Sequence, residues 1–154
     1  MTGGLPYNAA MKRIVCIVIL PLLFTGCIGI ERPDVEVTSI RLDDNSPGGG
    51  RILFDLLVTN PNDEALPMPR VSYRVDVVGG GAFEFTDRPY AASPSEGQVR
   101  FTMASAVRGV NLEGKQVNVD GTIIFEPQGE LRRVFYDNYV PLPRSSFSGQ
   151  DVLE

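Results

Sequence analysis

Apolar side chains recur at every second position over much of the chain, which is the spacing of β-strands with one buried face. The clearest run, residues 52–58, has Ile52, Phe54, Leu56 and Val58 on one face. Its other face is partly apolar as well, which predicts a central strand. The same spacing predicts strands over residues 71–77, 83–85, 99–103 and 117–125, with a bulge or a close approach at Gly121.

Three further segments complete the predicted secondary structure. An early strand starts at Val35, and its alternation slips before Ile40. A last strand is predicted over residues 132–140, in which Tyr136 and Tyr139 are expected to pack across strands. Residues 104–114 have room for one short helix at most. The result is an all-β, antiparallel sandwich of about seven strands over residues 34–142, followed by a flexible tail over 143–154.

The composition excludes several kinds of site. The chain of 154 residues has no His and only two Cys, which rules out a Ser-His-Asp triad, a Cys-His pair and a four-cysteine metal site. Acidic pairs such as Asp43-Asp44 and Asp63-Glu64 lack the alternating ligands of a calcium loop and are interpreted as solvated turns. We therefore expect no enzyme, no cofactor and no metal.

The N-terminal segment has the layout of an export signal. Lys12 and Arg13 precede the apolar run 14–24, and Thr25, Gly26 and Cys27 follow it. This ending resembles the lipobox of bacterial lipoproteins, although Phe24 stands where Leu is usual. The resemblance implies cleavage between Gly26 and Cys27, with acyl chains on Cys27 that anchor a short linker, residues 27–33, to a membrane.

Two alternatives concern this segment. Residues 14–30 could form a short uncleaved anchor helix, although about 20 residues are usual for a span. Translation could start at Met11, because residues 1–10 do not fit a signal peptide. Since the residue after Cys27 is Ile28 and not Asp, the lipoprotein resemblance favours the outer membrane, facing the periplasm, in a cell that has one.

The chain from Cys27 onward is acidic. It keeps all 19 acidic residues and loses Lys12 and Arg13, so its formal charge falls from −5 to −7. No basic stripe is visible along the sequence. We therefore expect no nucleic-acid binding and no attraction to an anionic membrane surface through charge.

A motif between two predicted strands carries a family resemblance. Asn60-Pro61-Asn62 follows an apolar strand, the segment Leu66-Pro67-Met68-Pro69 comes next, and Tyr73 lies in the following strand. This arrangement resembles the late embryogenesis abundant (LEA) group 2 family, which overlaps the water stress and hypersensitive response domain. The resemblance implies an immunoglobulin-like or fibronectin-III-like sandwich and a role in protecting proteins or membranes under desiccation or other stress. Turn chemistry alone accounts for the three residues of the motif, which are therefore expected to be structural.

Three functions remain open. The first is a lipid-anchored, non-enzymatic protective protein of the cell envelope, with client proteins or lipids as partners. The second is a lipid-binding or lipid-transfer module with an apolar groove between the sheets, lined by residues such as Phe54, Tyr73, Phe101 and Phe125. The third is a structural subunit of an envelope complex, bound through an exposed strand edge.

Overall fold

The computed structural model describes residues 30–46 and 48–154. The predicted signal segment, the cleavage position at Gly26 and the acylation site at Cys27 lie outside the described residues. Within the described part of the chain, no helix is long and apolar enough to cross a membrane. Among the described residues, the buried hydrophobic core extends from Val35 to Leu153, and Ile30 packs against it, so residues 30–154 have a hydrophobic core of their own.

Two antiparallel sheets and a small ribbon form a sandwich. One sheet has the order β1 (Asp34–Ser46), β2 (Gly49–Asn60) and β7 (Gly97–Arg108). The second sheet has the order β5 (Gly81–Asp87), β4 (Arg70–Val77), β8 (Gln116–Ile124) and β9 (Arg144–Val152), and the ribbon pairs β3 (Leu66–Met68) with β6 (Ala91–Ser93). The predicted all-β sandwich is confirmed; residues 30–154, apart from residue 47, contain seven long strands, the two short strands of the ribbon and one short helix, α1 (Gly129–Asp137).

The alternating apolar residues of the central strands fill the space between the sheets. Ile52, Phe54, Leu56 and Val58 of β2 have no exposed surface, and β2 is the central strand of its sheet, as predicted. On the second sheet, the Tyr73 ring lies edge-on to Phe54 at 5.0 Å between centroids and stacks on Phe85 at 5.2 Å. Such pairs add favourable ring geometry to the burial of apolar area.

The hydroxyl of Tyr73 connects the two sheets. It donates to the Asp87 carboxylate at 3.0 Å and accepts from the Ser105 hydroxyl of β7 at 3.2 Å. Burial, with a smaller contribution from the Asp87 charge, raises the pKa of Tyr73 to about 12. The hydroxyl therefore stays protonated at neutral pH and keeps donating its hydrogen bond to Asp87.

Two local irregularities follow the sequence pattern. The pairing of β1 with β2 shifts between Val37 and Ser39, which explains the slip of the alternation before Ile40. At Gly121 the register is regular, and Gly121 faces Tyr73 on one side and Phe147 on the other. A Cβ atom there would lie 2.8 Å from Cβ of Tyr73 and closer still to the Phe147 ring, so Gly121 marks a close approach and not a bulge.

The C-terminal third differs from the prediction. Residues 129–137 form α1 and not a strand, and the half-buried Leu131 and Phe135 are four residues apart, on one helix face. Their aromatic and β-branched neighbours favoured a strand, which misled the sequence interpretation. The last strand is instead β9, which pairs with β8 over its whole length. The prediction of a flexible tail is therefore wrong, and Leu153, which follows β9, is 1% exposed.

The short helix allowed over residues 104–114 is absent. Residues 104–108 belong to β7, and a loop carries Leu112 into the core. Buried Ser105 and Val107 alternate with exposed Ala104 and Ala106, so this segment follows a strand pattern.

Replacing Gly121 tests the close approach. Gly121→Ala is expected to lower the free energy of unfolding by about 1 to 3 kcal/mol, because the added methyl group must displace the Phe147 ring. Urea unfolding measures the difference. Gly48→Ala is the matched control, since no atom lies within 4 Å of its Cβ position, and an equal loss in both variants would contradict the packing argument.

A polar network covers the outer face of the three-stranded sheet. Asp55 of β2 accepts hydrogen bonds from Thr102 of β7 at 2.5 Å and from Ser39 of β1 at 2.7 Å, and it pairs with Arg41 at 2.7 Å. The hydrogen bonds from Thr102, Ser39 and Arg41 lower the pKa of Asp55 from 3.8 to about 2. One carboxylate thus ties all three strands together.

The lowered pKa makes this contribution pH-dependent. Well above pH 3.8 Asp55 is ionised in both the folded and the unfolded chain, and its stabilising effect is complete. As the pH falls through 3.8 towards the folded-state pKa of about 2, the effect is progressively lost. Asp55→Asn is expected to lower the free energy of unfolding by about 1 to 2 kcal/mol at neutral pH and by much less near pH 2. Urea titrations across this range measure the difference. Asp76→Asn, which removes an exposed carboxylate 3.6 Å from Arg74, is the control, and a pH-independent cost at Asp55 would refute the linkage.

Candidate functional site

One end of the sandwich collects the motif residues, the helix and the chain entering at Ile30. Thr59 pairs with Asp34, Asn60 with Gly97, and Ile124 with both Arg70 and Arg144. The two sheets meet at this end, where the Ser145 hydroxyl donates to the Pro33 carbonyl. We call this end the N-terminal pole; it consists of residues 30–34, 60–70, 87–97 and 124–144.

Asn60 is the buried centre of the Asn-Pro-Asn motif. It is 1% exposed. Its Nδ2 donates to the Glu64 carbonyl at 2.8 Å and to the Pro94 carbonyl at 2.9 Å, and its Oδ1 accepts from the backbone and side chain of Asn62 at 3.0 and 2.8 Å. These four bonds use both donors of the amide and both acceptor positions, so nothing on Asn60 is left for a ligand.

Asn62 holds the chain that enters the domain. Its Oδ1 accepts from the Glu31 amide at 2.9 Å, and its Nδ2 donates to the Glu31 carbonyl at 2.8 Å. Pro61, between the two asparagines, has no N–H and cannot extend the pairing of β2. The motif therefore ends one strand and fastens the segment before β1 to the N-terminal pole.

A surface groove at the N-terminal pole is lined in part by α1. It has a volume of about 630 Å³, and its lining combines apolar, aromatic and charged side chains, including Met68, Arg70, Arg88, Tyr90, Ile124 and Tyr136. Glu126 accepts from Arg132 at 2.7 Å and from the Tyr136 hydroxyl at 3.0 Å, and the Arg132 guanidinium lies 5.4 Å from the Tyr136 ring centre. Glu126 thereby raises the pKa of Arg132 above its already high value. Among the residues that the structure describes, Arg70 and Arg88 form no ion pair.

The tyrosines of this pole are exposed. Tyr90 is 91% and Tyr139 94% exposed, and Tyr136 is 53% exposed on α1. The expectation that Tyr136 and Tyr139 pack across strands is wrong, because the segment is a helix and its terminus. Tyr139 follows the helix in the left-handed conformation, with φ 53°, and backbone bonds from Tyr139 and Val140 to Tyr136 and Phe135 close the helix end.

The residues predicted to line a lipid groove lie inside the sandwich. Phe54 and Phe125 have no exposed surface, and Tyr73 is 4% exposed. Phe101 is half-buried on β7 and packs against the same core. The four residues therefore share one region, where the first three are in contact with other core side chains. The lipid-groove hypothesis stays a prediction.

Sequence reasoning missed the groove and its arginines. Arg70, Arg88 and Arg132 are far apart in the chain, and none belongs to a local motif. The helix that carries Arg132 and Tyr136 could have been recognised from the four-residue spacing of Leu131 and Phe135. No sequence signal indicated that Tyr90 would join them.

Comparison with solved structures identifies the fold. The solution structure of a late embryogenesis abundant (LEA) protein, At2g46140.1, superposes with a TM-score of 0.60 at 14% sequence identity, covering 93% of this chain and 86% of that one. The solution structure of AT1g01470 from Arabidopsis thaliana gives a TM-score of 0.57 at 14% identity, covering 82% and 83%. The chain has a LEA-type fold. No family model and no curated protein matches the sequence.

Truncating the two asparagines separates their roles. Asn60→Ala is expected to lower the free energy of unfolding by about 3 kcal/mol, because it removes a buried amide and all four of its hydrogen bonds, and Asn62→Ala by about 1 kcal/mol. Hydrogen exchange of the Glu31 amide is expected to accelerate in Asn62→Ala while the core amides of β2 keep their protection. Unchanged exchange at Glu31 would contradict the role of Asn62 in fastening the entering chain.

Proposed function

We propose that this protein is a lipid-anchored, non-enzymatic member of the LEA group 2 type that protects proteins or membranes in the cell envelope under desiccation or related stress. The observation that carries the proposal is the complete LEA-type sandwich, placed after a segment with the layout of a lipoprotein signal. The acyl chains on Cys27 would hold the domain at the membrane, and the outer membrane, facing the periplasm, is the favoured location.

The interior of the domain supports a function carried by the surface. Phe54, Phe125 and Leu112 have no exposed surface, and the amide of Asn60 has no free hydrogen-bonding position. A packed core of this kind provides stability, and it offers no prepared place for a substrate to react. A protein that protects its neighbours during drying must itself stay folded while water is withdrawn. The cross-strand hydrogen bonds of Asp55 and Tyr73 contribute to that stability.

The anchor can be tested by mass spectrometry of the membrane-extracted protein. We expect a chain that starts at Cys27 and carries acyl groups, and we expect Cys27→Ser to abolish both the cleavage and the added mass. Cys16→Ser is the matched control, because Cys16 lies in the segment that would be removed. An unmodified Cys27 in the wild-type protein would refute the lipoprotein part of the proposal.

Protection can be tested on the domain itself. The chain 30–154 is dried together with a desiccation-sensitive enzyme, and the recovered activity is compared with that after drying with an equal mass of serum albumin. We expect higher recovery with the folded domain and a loss of the difference in Asn60→Ala, which weakens the fold. Equal recovery with albumin would contradict a protective function.

Native mass spectrometry of the same domain tests the lipid-binding function, and deletion of neighbouring envelope proteins in cells tests the structural one. A stoichiometric lipid on the chain 30–154 would replace the protective function by the lipid-binding one. Loss of the full-length protein from cells that lack a neighbouring envelope protein would instead favour a structural subunit. We expect the mass of the protein alone, because the aromatic residues between the sheets are packed against one another.

A further inference from the structure

Exposed apolar surface is concentrated at the N-terminal pole. Among the residues that the structure describes, seven large apolar or aromatic side chains are exposed, and five of them belong to this pole: Tyr90, Val134, Tyr136, Tyr139 and Val140. The other two, Val78 and Val152, lie at the opposite end. Scattered exposed apolar residues are ordinary, but their concentration at one end of the domain indicates an interaction site.

Two of these residues are held in an unfavourable backbone conformation. Tyr90 has φ 50° and Tyr139 φ 53°, in the left-handed region where a bulky side chain is rare. Glycine is the usual residue after a helix in this conformation, and it would serve the fold better than Tyr139 does. Both side chains also point into solvent, so neither residue is explained by packing. Backbone outliers of this kind occur at functional sites.

The groove that Tyr90 and Tyr136 line combines cationic groups with apolar side chains. Arg70 and Arg88 line it without an ion-pair partner in the described part of the chain, together with the apolar Met68 and Ile124. Guanidinium groups bind phosphate oxygens in pairs. Tyrosine has an apolar ring and a polar tip, which suits the boundary between lipid head groups and acyl chains.

The entering chain leads to the same pole. The backbone of Glu31 is bound there by Oδ1 and Nδ2 of Asn62. Three residues lie between Glu31 and Cys27, and the four residue steps from Cys27 to Glu31 span at most about 14 Å when extended. Whatever holds the segment before residue 30 at a membrane, acyl chains or an apolar helix, brings this pole to the bilayer.

We propose that the N-terminal pole is a membrane-docking face that rests on a phospholipid bilayer. Tyr90 and Tyr139 enter the interfacial layer, and Arg70 and Arg88 contact lipid phosphates. The opposite end, with Val78, points away from the membrane. This inference deepens the proposed function and rests on its membrane attachment, since it names the surface that the attached domain presents to the lipid.

The charge of the pole limits how the docking works. Asp63, Glu64 and Glu96 are exposed beside the Asn-Pro-Asn motif, so the pole has no large positive field. Docking therefore relies on the aromatic side chains and on local contacts with phosphate, which every phospholipid carries. We expect vesicles of phosphatidylcholine to suffice, with little gain from anionic lipid.

The orientation can be measured with tryptophan reporters, because the chain contains no Trp. The chain 27–154 is coupled through Cys27, its only cysteine, to a maleimide phospholipid in phosphatidylcholine vesicles that contain brominated lipid. Single reporters are placed by Tyr139→Trp at the docking face and by Val78→Trp at the far end. Bromine quenches tryptophan fluorescence only at close range, so the two reporters distinguish which end touches the bilayer.

We expect strong quenching at position 139 and none at position 78. Equal quenching of the two reporters, the reverse order, or no quenching at either would overturn the proposal. Because the coupling is chemical, a failure of lipidation in cells would refute the proposed anchor and leave this result intact. A chain that is unquenched at position 139 and dimeric in size-exclusion chromatography would assign the face to a second copy instead.

A second experiment separates binding from folding. In the chain 30–154, Tyr90→Gly combined with Tyr139→Gly is expected to abolish co-sedimentation with phosphatidylcholine vesicles and to leave the melting temperature unchanged or higher, since glycine accepts the left-handed conformation. Val78→Ser is the control and should leave vesicle binding unchanged. Retained binding in the double variant would overturn the proposal.

Discussion

Much of this structure depends on the satisfied amide of one buried asparagine. Asn60 ends β2 and bonds the carbonyl groups of Glu64 and Pro94, which belong to the two loops on either side of the β3–β6 ribbon. Its Oδ1 orients Asn62, which in turn holds the backbone of Glu31. A single residue thereby fixes where a strand stops, how the chain crosses to the second sheet, and where the domain is entered. Because the amide is buried, losing any of these bonds would leave an unsatisfied polar group, and this makes the arrangement specific.

The middle of the sandwich and its N-terminal pole differ in how well their residues suit a stable fold. Close packing governs the middle of the domain, where Gly121 admits the Phe147 ring and Tyr73 joins the sheets by a hydrogen bond to Ser105. At the N-terminal pole, Tyr90 and Tyr139 have left-handed backbones and exposed rings, neither of which favours folding. Natural proteins tolerate such features where function needs them. The difference between the two regions is the physical basis for assigning the docking face to the pole and the stability to the core.

A LEA-type sandwich near a membrane would combine two properties. Its interior is packed, and polar contacts on its outer face, such as the bonds to Asp55 across three strands, join protein groups directly. The chain that enters at Ile30 and most of the exposed aromatic groups lie at the same end. A domain held in this orientation would present its far end and the outer faces of its sheets to the surrounding proteins, which is the geometry that protection of neighbours at a membrane surface requires.

The sequence by itself determined the parts of the structure that depend on local spacing. The alternation at Ile52 to Val58 identified a central buried strand, and the slip before Ile40 identified the irregular pairing of β1, because a two-residue period has consequences wherever the strand is placed. The missing Cβ of Gly121 predicted a bulge or a close approach, and only the structure showed which of the two it is. Helix α1 was misjudged because its aromatic and β-branched residues favour strands, although Leu131 and Phe135 have helical spacing. The tertiary structure alone decided the rest. A segment with few apolar residues, such as β9, takes its conformation from the partner it finds, and it becomes a strand by pairing with β8. The cluster of Tyr90, Arg88 and Tyr136 could not be seen in the sequence, since residues of distant segments become neighbours only when the sheets close around a common core.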